Sequence, residues 1–195
     1  MKLLRTCLLF TGLALAGCAS DPIDSHPAYP EIQRQVATII QSVRTGTGAT
    51  LFADLRRLVA YDVFAVDQVV ELAKDENARL RSNAMYVLAQ IRDVEQKNRM
   101  ERVEETLREG LEDGDATVRF EAATGLAARG EWDVLPVLID GLDHPDSGVR
   151  YRCHEQLCST TSRDFGYSID ADPVERQAAV DQWRSWYAGW QKTGG

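Results

Sequence analysis

The stretch CHEQLC, residues 153–158, brings two thiols and an imidazole close together in sequence, a set of side chains that could bind a metal, form a disulfide or act as a redox couple. The spacing argues against all three. On a helix, Cys153 and Cys158 stand further apart than the roughly 7 Å that a disulfide tolerates, and their side chains diverge. A closed zinc shell needs a full tetrahedral set of ligands, and beyond His154 the region read as folded offers only His144. No serine elbow, phosphate-cradling glycine loop or paired-histidine helix occurs. The plentiful Asp and Glu read as solvated acids on the polar sides of helices. The sequence therefore names no catalytic residue, no metal ligand and no cofactor, and the reading is of a non-enzyme.

Two other sets of residues have a regular spacing. Arg81, Arg119 and Arg150 each follow a short polar residue by four positions, namely Asn77, Asp115 and Asp146, which are of the type that accepts hydrogen bonds at a helix start. A guanidinium holds its donors in a fixed fork, so these six residues are expected to form a structural ladder tying loops to helices, in preference to a cationic stripe for acidic ligands. Trp183, Trp186, Tyr187 and Trp190 fall at i, i+3, i+4 and i+7 on one helix face, with Phe165 and Tyr167 just upstream. An aromatic face of this kind could stack on a glycan or clasp a peptide. The preferred reading is a cap, because the end of a stack of helices otherwise leaves apolar surface in water.

The elements that must position these residues are helical throughout. From Glu31 onward the apolar residues recur at helical spacing, and no alternating strand pattern stands out. Ile32, Val36, Ile39, Ile40 and Val43 form one stripe, and Leu51, Phe52, Leu55, Leu58, Val59 and Val63 a second. Further helices are expected near Val66 to Lys74, Arg79 to Arg92, Arg99 to Glu112, Ala116 to Arg129, Val134 to Leu142, Gly148 to Thr160 and Pro173 to Gln191.

Three segments align without a gap: NARLRSNAMYVL (77–88), DATVRFEAATGL (115–126) and DSGVRYRCHEQL (146–157). Beyond the polar starts and the arginines, they share Leu80, Val118 and Val149, then Ala84, Ala122 and Cys153, then Leu88, Leu126 and Leu157. Their offsets of 38 and 31 residues are typical of stacked repeats. These units resemble HEAT repeats of the bacterial HEAT-like type, clearly over 75–161 and only as helix pairs over 31–74. The resemblance implies an all-α solenoid of stacked antiparallel helix pairs filling 31–195. The tail resembles a C-terminal segment of some bacterial HEAT-repeat proteins in Phe165, Gly166, Tyr167, Asp172, Pro173, Glu175, Arg176, Trp183, Arg184 and Trp186, which implies a cap over 162–191. Ser168 and Ile169 depart from the Asp and Pro of that pattern. In the tail, Asp172 suits an N-cap, Pro173 the first helical position and Glu175 the returning acid of a capping box. HEAT-like repeats also occur in phycobilin lyases, so a lyase-like or other small-ligand activity is the alternative, although the analogy carries over no catalytic residue.

At the other end, residues 1–17 have a basic start at Lys2 and Arg5 and an apolar core too short to span a bilayer, the layout of a cleaved export signal. The signal ends in LAGC, which resembles the lipobox of bacterial lipoproteins and implies that Cys18 is lipidated and becomes the first residue. No Asp follows Cys18, which by the same resemblance favours the inner leaflet of the outer membrane, facing the periplasm. Residues 18–30, with prolines at 22, 27 and 30, read as an extended tether. The chain carries a formal net charge of −8, which becomes more negative once the signal leaves, and this balance excludes nucleic acid as a partner. The expected partners are the membrane, through the lipid, and another envelope protein, for which the solenoid is a scaffold.

Overall fold

The computed structural model describes residues 22–92 and 95–193. The expected export signal over 1–17 and the expected lipidation at Cys18 lie outside the described residues. Within them the chain runs as α1 (Tyr29–Thr45), α2 (Gly48–Tyr61), α3 (Val66–Leu72), α4 (Ala78–Gln90), α5 (Lys97–Gly110), α6 (Ala116–Ala127), α7 (Leu135–Gly141), α8 (Ser147–Thr161) and α9 (Pro173–Lys192), with no strand. The helices pair in order, α1 with α2 through α7 with α8. Successive pairs stack so that α2, α4, α6 and α8 lie side by side as one layer, backed by the odd-numbered helices. The fold is an all-α solenoid.

Burial follows the repeat. Val118, Ala122 and Leu126 and their counterparts Leu80, Ala84, Leu88, Val149, Cys153 and Leu157 all lie in the core. Each fully buried leucine contributes about 1.5–3 kcal/mol relative to exposure. Where the helices come closest, the sequence supplies glycine. A Cβ on Gly125 would stand 3.0 Å from the Ala89 Cβ and 3.1 Å from its Cα, and one on Gly141 only 2.3 Å from the Cys153 Sγ. The glycines let α6 reach α4 and α8 reach α7.

Arginines close the open ends of two helices. Arg129 donates to the carbonyls of Leu88 (3.0 Å), in the last turn of α4, and Ile91 (2.8 Å), its C-cap, and Arg79 donates to those of Arg44 (2.8 Å), in the last turn of α1, and Gly46 (3.3 Å), its C-cap. Carbonyls at a helix C-terminus run short of intrahelical donors, Leu88 having only the Ile91 N–H at 3.3 Å, and a cation there is favoured electrostatically as well. Burial pushes the Arg129 guanidinium down to about 10, and the nearby Arg92 charge adds to the shift.

Two expectations need correction. Part of the 18–30 segment is docked on the domain: Pro22–Ser25 forms a 3₁₀ turn, Ile23 is buried, and the Asp24 carboxylate meets Arg99 at 2.6 Å. Arg99 is only 3% exposed and also binds Asp67 at 2.5 Å, so the segment is held by a charge that burial has left few alternatives. The second stripe also fails to run on as one helix. Asp62 has φ 48°, α2 ends there, and Val63 belongs to a 3₁₀ turn at Asp62–Ala65.

Candidate functional site

The capping residues sit where the repeat places them. Asn77 accepts from the Arg79 N–H, Asp115 from Thr117 and Val118, and Asp146 from Gly148 and Val149. Two positions earlier, Asp75, Asp113 and His144 accept from the cap residue's own N–H at 2.9, 2.8 and 3.1 Å, which tightens each loop. The arginines then diverge. Arg81 donates to the carbonyls of Asp75 and Glu76, both at 2.9 Å, and grips the Asp113 carboxylate of the next loop with two bonds of 2.7 and 2.8 Å. That bond holds the Asp113 carboxyl below its ordinary range. Arg150 donates to His144 (2.7 Å) and Pro145 (2.9 Å) and reaches the Ile169 carbonyl at 3.1 Å, tying the last pair to the tail. Among the described residues, Arg119 bonds only within its own loop, to the Asp113 carbonyl at 2.6 Å. No rung to the next loop forms there, because His144 stands where Asp113 serves Arg81.

In the tail, Asp172 accepts from Val174 (2.8 Å) and Glu175 (3.0 Å), with Pro173 opening α9. The Glu175 carboxylate makes no returning bond, so only half of the expected capping box exists. Trp183 is fully buried, Tyr187 and Tyr167 are buried, and Trp186, Trp190 and Phe165 are half-buried. Phe165 meets Trp183 edge-on at 4.7 Å, and Tyr167 donates its hydroxyl to the Leu142 carbonyl. Trp190 and Trp186 lie 5.1 and 6.3 Å from Trp132, just before α7. The helix therefore seats chiefly against α7. Trp183 and Tyr187 are not available to a ligand.

In CHEQLC, the Cys158 Sγ lies 3.3 Å from His154 Nε2, with the Asp164 carboxylate 3.7 Å from the same nitrogen. Because both partners share one ring nitrogen, the histidine cannot relay between them. Burial raises the Cys158 thiol and pushes Cys153 up to about 12, so both stay protonated and poorly nucleophilic. Among the described residues, no group of three acids, cysteines or histidines is placed to share a metal.

The site that the sequence did not point to is a trough across the layer of α2, α4, α6 and α8. One cleft of about 300 Å³ lies between α4, α6 and α8, walled by Tyr86, Thr124, Tyr151 and Glu155 over Glu121 and Arg152. A second, of about 360 Å³, lies between α2 and α4 against Phe52, Arg56, Val59 and Ala60, and shares Tyr86 and Gln90 with the first. Phe52 and Tyr151 are 54% and 50% exposed, in contrast to the stripe reading that put Phe52 in the core. Glu121 contradicts the reading of acids as solvated: it is 5% exposed and pairs with Arg152 at 2.6 Å. Burial raises its pKa, and the Arg152 charge and hydrogen bond offset this only in part. Asp54 is a second buried acid, bonded to Ser42 at 2.5 Å and Arg57 at 3.2 Å. Nothing in either residue type announced burial. The available signal was the repeat alignment, which puts Asn83, Glu121 and Arg152 in one row across α4, α6 and α8.

The architecture defines a class, the helical-repeat solenoids that present an extended layer of side chains. Residues 104–164, from within α5 to just beyond α8, match the family model described as HEAT repeats. The match covers less than half of the chain and takes in two of the three aligned repeat segments. No curated protein matches it.

Two variants separate the rungs. Arg81→Ala removes an inter-loop ion pair and carbonyl bonds and should cost about 1–3 kcal/mol, whereas Arg119→Ala should cost about 1 kcal/mol or less, as read by urea melts. Equal losses would mean that the inter-loop pair contributes nothing. Glu121 gives a pH signature. Because its folded pKa is raised, its stabilising contribution is present below the ordinary carboxyl range and lost as pH rises through the raised value. Glu121→Gln should melt with the wild type near pH 4 and be more stable at pH 8 by about 1 kcal/mol.

Proposed function

We propose that this protein is a lipid-anchored scaffold of the bacterial cell envelope whose α2–α4–α6–α8 trough receives a protein partner. The observation that carries the recognition half is the pair of exposed aromatics, Phe52 and Tyr151, set on a recessed surface otherwise built of regular repeat positions. Aromatic side chains supply much of the binding energy at protein interfaces, and in a single folded domain their exposure is costly unless something covers them. HEAT repeats commonly serve as interaction scaffolds. The anchoring half rests on the sequence: LAGC closes a complete export signal, and two or three acyl chains on Cys18 would hold the domain stably, each buried methylene contributing about 0.8 kcal/mol. The absence of Asp after Cys18 supports the outer membrane and a periplasmic domain.

A photo-crosslinking amino acid at position 52 or 151 should capture a discrete partner in living cells, while the same probe at Glu105, exposed on α5, should not. Capture at Glu105 alone would move the interface to the other layer. For the anchor, Cys18→Ser should shift the protein from the detergent-extracted membrane fraction to the soluble or uncleaved form. Mass spectrometry of the native protein should find acyl chains on Cys18, and a mature chain with that thiol unmodified would remove the anchor.

A further inference from the structure

We infer that the cleft over Glu121 is a socket for a lysine or arginine side chain presented by the partner, a statement that rests on the trough being the recognition surface. The floor of the cleft is a carboxylate held inside the protein, and a single ion pair to Arg152, whose side chain is 38% exposed, is the only bond that reaches it among the described residues. A carboxylate taken out of water needs more than one such partner to recover its hydration. Glu121 is therefore under-compensated, and its raised pKa has the same cause. A second cation entering from the open side would share the carboxylate with Arg152 and supply what burial removed.

The walls point to the same occupant. Tyr86 and Tyr151 border the cleft from α4 and α8, and aromatic faces attract cations at close range. Glu155 adds a second carboxylate on the rim, and the hydroxyls of Thr124 and Ser159 can accept hydrogen bonds from an ammonium or guanidinium group. An anion would meet both acids, with Arg152 already engaged. An apolar side chain would strip water from Glu121 and return nothing. The chain's formal charge of −8 steers basic partners towards it. Beside the socket, the cleft at Phe52, Val59 and Ala60 offers an apolar seat, so the segment that fits both carries an apolar residue near a basic one.

The test is selection of randomised phage-displayed dodecapeptides on the full chain in detergent, followed by titration of the best sequence as a synthetic peptide. Winners should share a Lys or Arg at one fixed position. Replacing that residue by norleucine or citrulline should weaken binding at least tenfold. Glu121→Gln should weaken the parent peptide at least tenfold while still unfolding cooperatively and no less stable than wild type, and Glu155→Gln should weaken it less. Peptides that lose binding on Tyr151→Ser yet lack a basic residue, or that bind Glu121→Gln as well as wild type, would overturn the socket and leave the trough standing. If no peptide is selected, or if Tyr151→Ser leaves binding intact, the trough and the socket both fall.

Discussion

The close approach of neighbouring helices sets the terms for the rest of the molecule. Gly125 sits where even a methyl group would press on Ala89 of α4, and Gly141 where it would overlap the Cys153 sulfur of α8. With the backbones this near, the side chains of adjacent helices fall into lateral rows, each row made of the same repeat position. Tyr86, Thr124 and Glu155 form one such row, and Asn83, Glu121 and Arg152 another. The trough is what these rows leave between them. A looser stack would open gaps in the core and separate Glu121 from Arg152, so the tightness of packing is a precondition for the chemistry on the surface.

Much of the scaffold was legible in the sequence, because helix starts and apolar periodicity are local signals. Asp115, Asp146 and Asp172 each stand at an N-cap, and Ala116 and Pro173, the starts that the sequence predicts for α6 and α9, are their first helical residues. Helix ends drifted by a residue or two, as at α4 and α6, where Arg92 and Arg129 read as helical but lie beyond the last turn. What stayed hidden depends on contacts between distant residues. Glu121 looks like any helical glutamate until α8 brings Arg152 beside it. Phe52 fits an apolar stripe by spacing alone, but only the arrangement of α2 beside α4 decides that its ring faces water. His144 in place of an acid breaks the arginine ladder at Arg119, a substitution visible in the alignment whose meaning needs the neighbouring loop.

The tail illustrates how a solenoid ends. Each pair hands an apolar face to the next, and the last must give its face to something other than a repeat. Here the closure is aromatic: Trp183 inserts fully, Phe165 meets it edge-on, and Trp132 receives Trp186 and Trp190 from the side. Arg150 joins this closure through the Ile169 carbonyl, so the polar bonds of the loops and the aromatic packing of the tail meet at one junction.

The contact between Asp24 and Arg99 joins residues 75 positions apart, and it changes how the molecule would bear load. Tension arriving from the N-terminal side enters α5 directly through this clasp, and enters α3 through the Tyr29 hydroxyl on Asp67. Pulling therefore engages three helix pairs in parallel, where a chain without the clasp would peel α1 away first. The clasp makes the near end of the solenoid behave as a rigid lug, and it fixes which side of the stack faces whatever does the pulling.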